Sequence, residues 1–94
     1  MKATIVGLVT PHVLRVIEVA RQAETGANVD WHLRDAVART VADLGHQYNA
    51  ADLLAAYVHA LESAVDEAAR ARKASATSLR VAVAIARREV SGRG

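Results

Sequence analysis

The stretch VDWHLRDAVARTVADLG, residues 29–45, decides the fold. Val29, Leu33, Ala36, Val37, Thr40, Val41 and Leu44 recur within it at intervals of three and four. At about 100° per residue these side chains share one face of an α-helix, a grouping no strand achieves. Arg34, Asp35, Arg39 and Asp43 fall outside that face, as solvent-facing residues do. Trp31 lies on nearly the opposite side, with Ala38 and Ala42. Asn28 or Asp30 suits the start of this helix and Gly45 its end.

Downstream, a further helix is expected from Asn49, with Asp52 placed for a variant capping box. Leu53, Leu54, Tyr57, Val58, Leu61, Ala64, Val65 and Ala68 form its apolar face. No Gly or Pro follows Ala71 until Gly92. One reading is a continuous helix of about 40 residues, on the order of 60 Å long. The favoured reading splits it near residues 74–78, where Arg72 and Lys73 suit a last turn and Ser75 or Thr77 a new cap. Leu79 to Val90 is helical either way, and residues 91–94 read as a frayed tail.

Upstream, Thr10-Pro11 reads as a helix start and Gly26 as a stop, with Val13, Val16, Ile17 and Ala20 on one face. Residues 1–9 form a short apolar N-terminal arm in which Thr4, Ile5, Val6 and Val9 are β-branched and Gly7 disfavours helix. Such an arm folds back on its own bundle or docks on a neighbouring subunit. The expectation is an all-α protein, a bundle of three or four helices forming one domain over 1–94.

Composition sharpens this picture. The chain has 94 residues, 52% of them hydrophobic, but 21 of those are Ala and none is Phe. Alanine favours helices and buries little area, so the helices must approach closely around a thin core. The absence of Cys excludes a disulfide scaffold, a thiol enzyme and a zinc-thiolate module. Ten Arg against two Lys, beside heavy Ala and Val usage, suits a GC-rich genome such as that of an actinobacterium or its phage. The N-terminal apolar run is too short for a signal peptide or a membrane span, so a cytoplasmic protein is expected, or a virion component if phage-encoded.

Charge is unevenly spread. Residues 50–69 carry Asp52, Glu62, Asp66 and Glu67 and no base, whereas residues 70–94 hold seven bases against Glu89. Lys73, Arg80 and Arg87 recur every seven residues and share a stripe if the segment is one helix, and Arg88 lies on another side. This stripe is a candidate for nucleic acid, for an acidic protein surface such as the 50–69 segment of another copy, or for solvent alone.

Other constellations carry less. The segment around Leu44-Gly45 fits a helix-turn-helix poorly, because the would-be recognition helix is acidic. His32/Asp35, Asp43/His46 and His59/Glu62 are each spaced by three, no more than chance supplies, so no metal or cofactor is expected. No phosphate-binding loop, nucleophile elbow or zinc-protease motif is present, and the chain is not expected to be an enzyme.

The functional expectation is a non-enzymatic helical assembly or adaptor subunit, homo-oligomeric or part of a larger protein assembly, such as a phage or bacterial structural component. Its motivation is the last helix, where Leu79, Val83, Ala86 and Val90 face one way while Val81 and Ile85 lie elsewhere. A helix apolar on two sides needs two neighbours. The candidate interface residues are Ile5, Val6, Val9, Trp31, Leu79, Val81, Val83 and Ile85. The alternative is a small nucleic-acid-associated or regulatory protein acting through Lys73, Arg80, Arg87 and Arg88.

Overall fold

The computed structural model describes residues 4–26 and 28–93. In chain order it contains α1 (Ile5–Gln22), a 3-10 turn (Ala23–Thr25), α2 (Asp30–Gly45), α3 (Ala50–Arg70) and α4 (Ser75–Arg93). Among the described residues there is no strand. The protein is an all-α bundle of four helices.

The start of α1 corrects the sequence reading. Residues Ile5 to Val9 are helical rather than an extended arm, and Thr10-Pro11 lies inside α1 instead of opening it. Thr4 is the true cap, its hydroxyl accepting from the Gly7 amide at 2.9 Å. Glycine suits that spot, because a Cβ at residue 7 would stand 3.1 Å from the capping oxygen. Pro11 forfeits the bond its absent amide would donate to residue 7, and its ring crowds that carbonyl, a cost the helix bears. Tertiary burial outweighs local propensity here: helical geometry puts Val9 in line with Val13, Val16 and Ala20, and all four are buried. Met1 to Ala3, the rest of the expected arm, lie outside the described residues.

The stripe of α2 is buried along its whole length, from Val29 through Thr40 to Leu44. Asn28 supports its first turn by accepting from the Asp30 amide at 3.1 Å. Asn49 is the N-cap residue of α3, yet its side chain makes no capping bond. The expected capping box with Asp52 is therefore not formed. With φ −106° and ψ 36°, Asn49 is out of the extended conformation that aims a cap inward.

Between α3 and α4 the chain reverses through residues 71–74. The Lys73 amide bonds the Ala68 carbonyl at 2.9 Å and the Arg72 amide that of Ala69 at 3.1 Å. This pair of bonds is a Schellman motif. Its left-handed position is held by Arg72 at φ 56°, where glycine is usual. Lys73 accordingly sits in the turn, outside the helical stripe that would have joined it to Arg80 and Arg87. Helix α4 runs to Arg93, and Gly94, the last residue of the expected tail, lies outside the described residues.

Groove linings fix the relative directions. Leu8 and His12 share a groove with Leu53, while Ile17 and Arg21 share one with Ala64 and Ala68, so α1 and α3 run the same way. Val90 and Ser91 lie by Ala50 and Leu54, and Leu79 by Ala68, so α4 is antiparallel to α3. All three other helices pack on α4. Its two apolar sides are thus largely met within the chain: Leu79, Ala82, Val83 and Ala86 are buried, and Ile85 and Val90 pack against the same core. Leu33, Leu53, Tyr57 and Leu61 are its largest fully buried residues.

Candidate interaction surfaces

The structure divides the expected interface residues. Val9, Leu79 and Val83 belong to the chain's own core, and Ile5 and Ile85 are half-buried against it. Val6, Trp31 and Val81 remain exposed. Trp31, at 68% exposure, is not covered by a second layer of its own chain, and its ring meets that of His32 edge to face, centroids 5.4 Å apart. Three further exposed residues were not among the candidates: Leu8, 44% exposed, and Leu14, 57% exposed, on α1, and Tyr48, 99% exposed in the turn between α2 and α3. The signal for Leu14 was its offset from the Val13–Val16–Ala20 face.

The cationic candidates also separate. Arg87 of α4 is ion-paired with Glu62 of α3, and Arg80 lines a groove with Glu62 and Asp66. Part of the acidic side of α3, at Glu62, is thereby answered by the basic side of α4 in the same molecule. Antiparallel packing of consecutive helices brings this about. Arg88 is exposed on α4, and Lys73 is exposed in the turn with Arg70 and Arg72.

Three surface depressions flank these residues. The largest, about 820 Å³, is an open apolar groove lined by Ala50, Ala51, Leu54, Val58 and Val90, with Arg87 at its rim. A second, about 370 Å³, runs between α1 and α3. Val6, Thr10 and Ile17 wall it, and Ala56, Ala60 and Ser63 lie on its α3 side. The third, about 320 Å³, holds Arg80 and Arg87 opposite Glu62 and Asp66.

The described residues contain no group of three or more His, Asp or Glu that could hold a metal ion. Among the described residues, burial pushes the Tyr57 hydroxyl from 10.0 up to about 12, opposed by Thr40 and the Arg15 charge. Its Oη is buried without a hydrogen-bond partner, and the Thr40 hydroxyl donates to the Ala36 carbonyl at 2.9 Å. Among the described residues no helix is long and apolar enough to cross a membrane. Compared with known proteins, the chain matches no family model, no curated protein and no solved structure.

Proposed function

We propose that the protein is a non-enzymatic assembly subunit that acts by self-association, as a bacterial or phage structural component in the cytoplasm or in a virion. One observation carries this reading: large apolar side chains stand outside a core that closes without them. Val6 is 69% exposed, Leu14 57% and Trp31 68%. Holding such residues in water forgoes about 1.5–3 kcal/mol for each that burial would supply. The two apolar sides of α4 do not support it, because α4 finds most of its neighbours in its own chain. The support now comes from α1 and the start of α2.

Sedimentation equilibrium across the micromolar range tests the reading. The expected result is a mass that rises with concentration above the 10.0 kDa of the chain. A constant monomer mass discards it. A second reading, contact with a polyanion, rests on the exposed cations Arg70, Arg72, Lys73 and Arg88, with Arg80 and Arg87 held beside carboxylates. It predicts retention on DNA that falls steeply with salt, and absence of retention at low salt removes it.

A further inference from the structure

We infer that the α1–α3 groove is the seat of a second copy of this chain, packed antiparallel across a two-fold axis. This rests on the self-association reading and names its surface. Val6 lines the groove on α1 and Leu14 stands exposed on the same helix, while the α3 side presents the short side chains Ala56, Ala60 and Ser63. A two-fold axis perpendicular to the helices lays α3 on the α3 of the other copy and α1 on its α1, each copy offering the same surface; the short side chains of α3 allow the close approach.

Charge fixes the orientation. Asp52, Ala56, His59, Ser63, Glu67 and Arg70 follow one another by three or four positions along α3, with Ala60 beside His59, and so share a face. Asp52 and Arg70, both exposed, bracket it 18 positions apart, which is five turns and about 27 Å. A two-fold axis level with residue 61 brings each Asp52 to the Arg70 of the other copy and each His59 to the level of Ser63. Parallel association would instead oppose like charges at Asp52, at Glu67 and at Arg70. Among the described residues Arg70 forms no ion pair, and its Nε donates to the Asp66 carbonyl oxygen at 3.4 Å.

The area suffices for a specific but modest dimer. An α-helix of 21 residues is about 31 Å long, and two helices 8–10 Å apart with their side chains span roughly 18 Å. The strip is then on the order of 550 Å² per copy, just above the roughly 1,000 Å² in total that specific interfaces need.

Sedimentation of four proteins tests this, with circular dichroism as the check on folding. Asp52→Arg sets two cations together at both ends and is expected to raise the dimer dissociation constant by about tenfold. The exchange Asp52→Arg with Arg70→Asp re-forms both pairs in reverse and is expected to return it to within about threefold of wild type. Leu14→Arg, at an exposed site that leaves the core untouched, is expected to abolish the dimer. A wild-type dimer that ignores Leu14→Arg, or one that the charge exchange does not rescue, overturns this surface and leaves self-association standing. A wild type that is monomeric throughout overturns both, and the groove then belongs to another partner.

Discussion

Glu62 on α3 and Arg87 on α4, 25 positions apart in sequence, are joined in an ion pair on the surface of the bundle. It links the acidic side of one helix to the basic side of the next, and it uses a cation that would otherwise advertise an anionic partner. Both side chains keep substantial exposure, 39% and 61%. A pair this wet contributes about 0.2–1 kcal/mol and is weakened by salt. A double-mutant cycle with Glu62→Gln and Arg87→Gln is expected to show coupling in that range at low salt, shrinking in 1 M salt as the screening length falls to about 3 Å.

The buried Tyr57 hydroxyl makes stability fall in alkali. Its folded pKa, about 12, lies above the unfolded 10.0. The folded state therefore holds the proton more tightly, and its contribution is complete below pH 10 and lost as pH rises toward 12. The loss amounts to about 2–3 kcal/mol by pH 12, at about 1.4 kcal/mol per unit. Tyr57→Phe removes an unpartnered hydroxyl and is expected to be neutral or stabilising by up to about 1 kcal/mol near pH 8. Urea titrations at pH 8 to 11.5 should show the alkaline decline in wild type and a flatter profile in the variant.

Arg72 and Gly26 occupy the same left-handed kind of position, at φ 56° and 88°, but only one of them is glycine. Arg72→Gly is expected to stabilise the protein by about 1 kcal/mol through relief of backbone strain. Gly26→Ala should cost a similar amount even though no atom lies within 4 Å of the added Cβ, because the strain resides in the backbone. Thermal melts read both, at about 4–8 °C per kcal/mol for a chain of this size.

Pro11 interrupts the hydrogen-bond ladder of α1 six positions after its start. Pro11→Ala restores an amide donor and is expected to stabilise by about 1–3 kcal/mol. The alternative in which the helix begins at Thr10 predicts no gain, since proline is favoured at a first helical position. Calorimetry of the two proteins distinguishes these outcomes.

Much of the architecture was legible from residues alone. Every member of the Val29–Leu44 stripe is buried as its spacing requires, because burial of a helix face follows from side-chain period and little else. Gly26 was legible as a stop for a similar local reason. The start of α1 was not: Thr4 and Thr10 offer equally good caps, and only the depth to which Val9 enters the core chooses between them. Trp31 was legible as off the stripe, but its exposure depended on whether another helix covered that side.

Sequence by itself determined the helical class and the core stripe of α2, since these are properties of short-range spacing and residue type. Tertiary structure alone decided that α4 satisfies its apolar sides within the chain, that Glu62 answers Arg87, and that Val6, Leu14 and Trp31 are left in water. Those outcomes depend on which helices become neighbours and in which direction they run. That is settled by the joint packing of all four helices and is written in no single one of them.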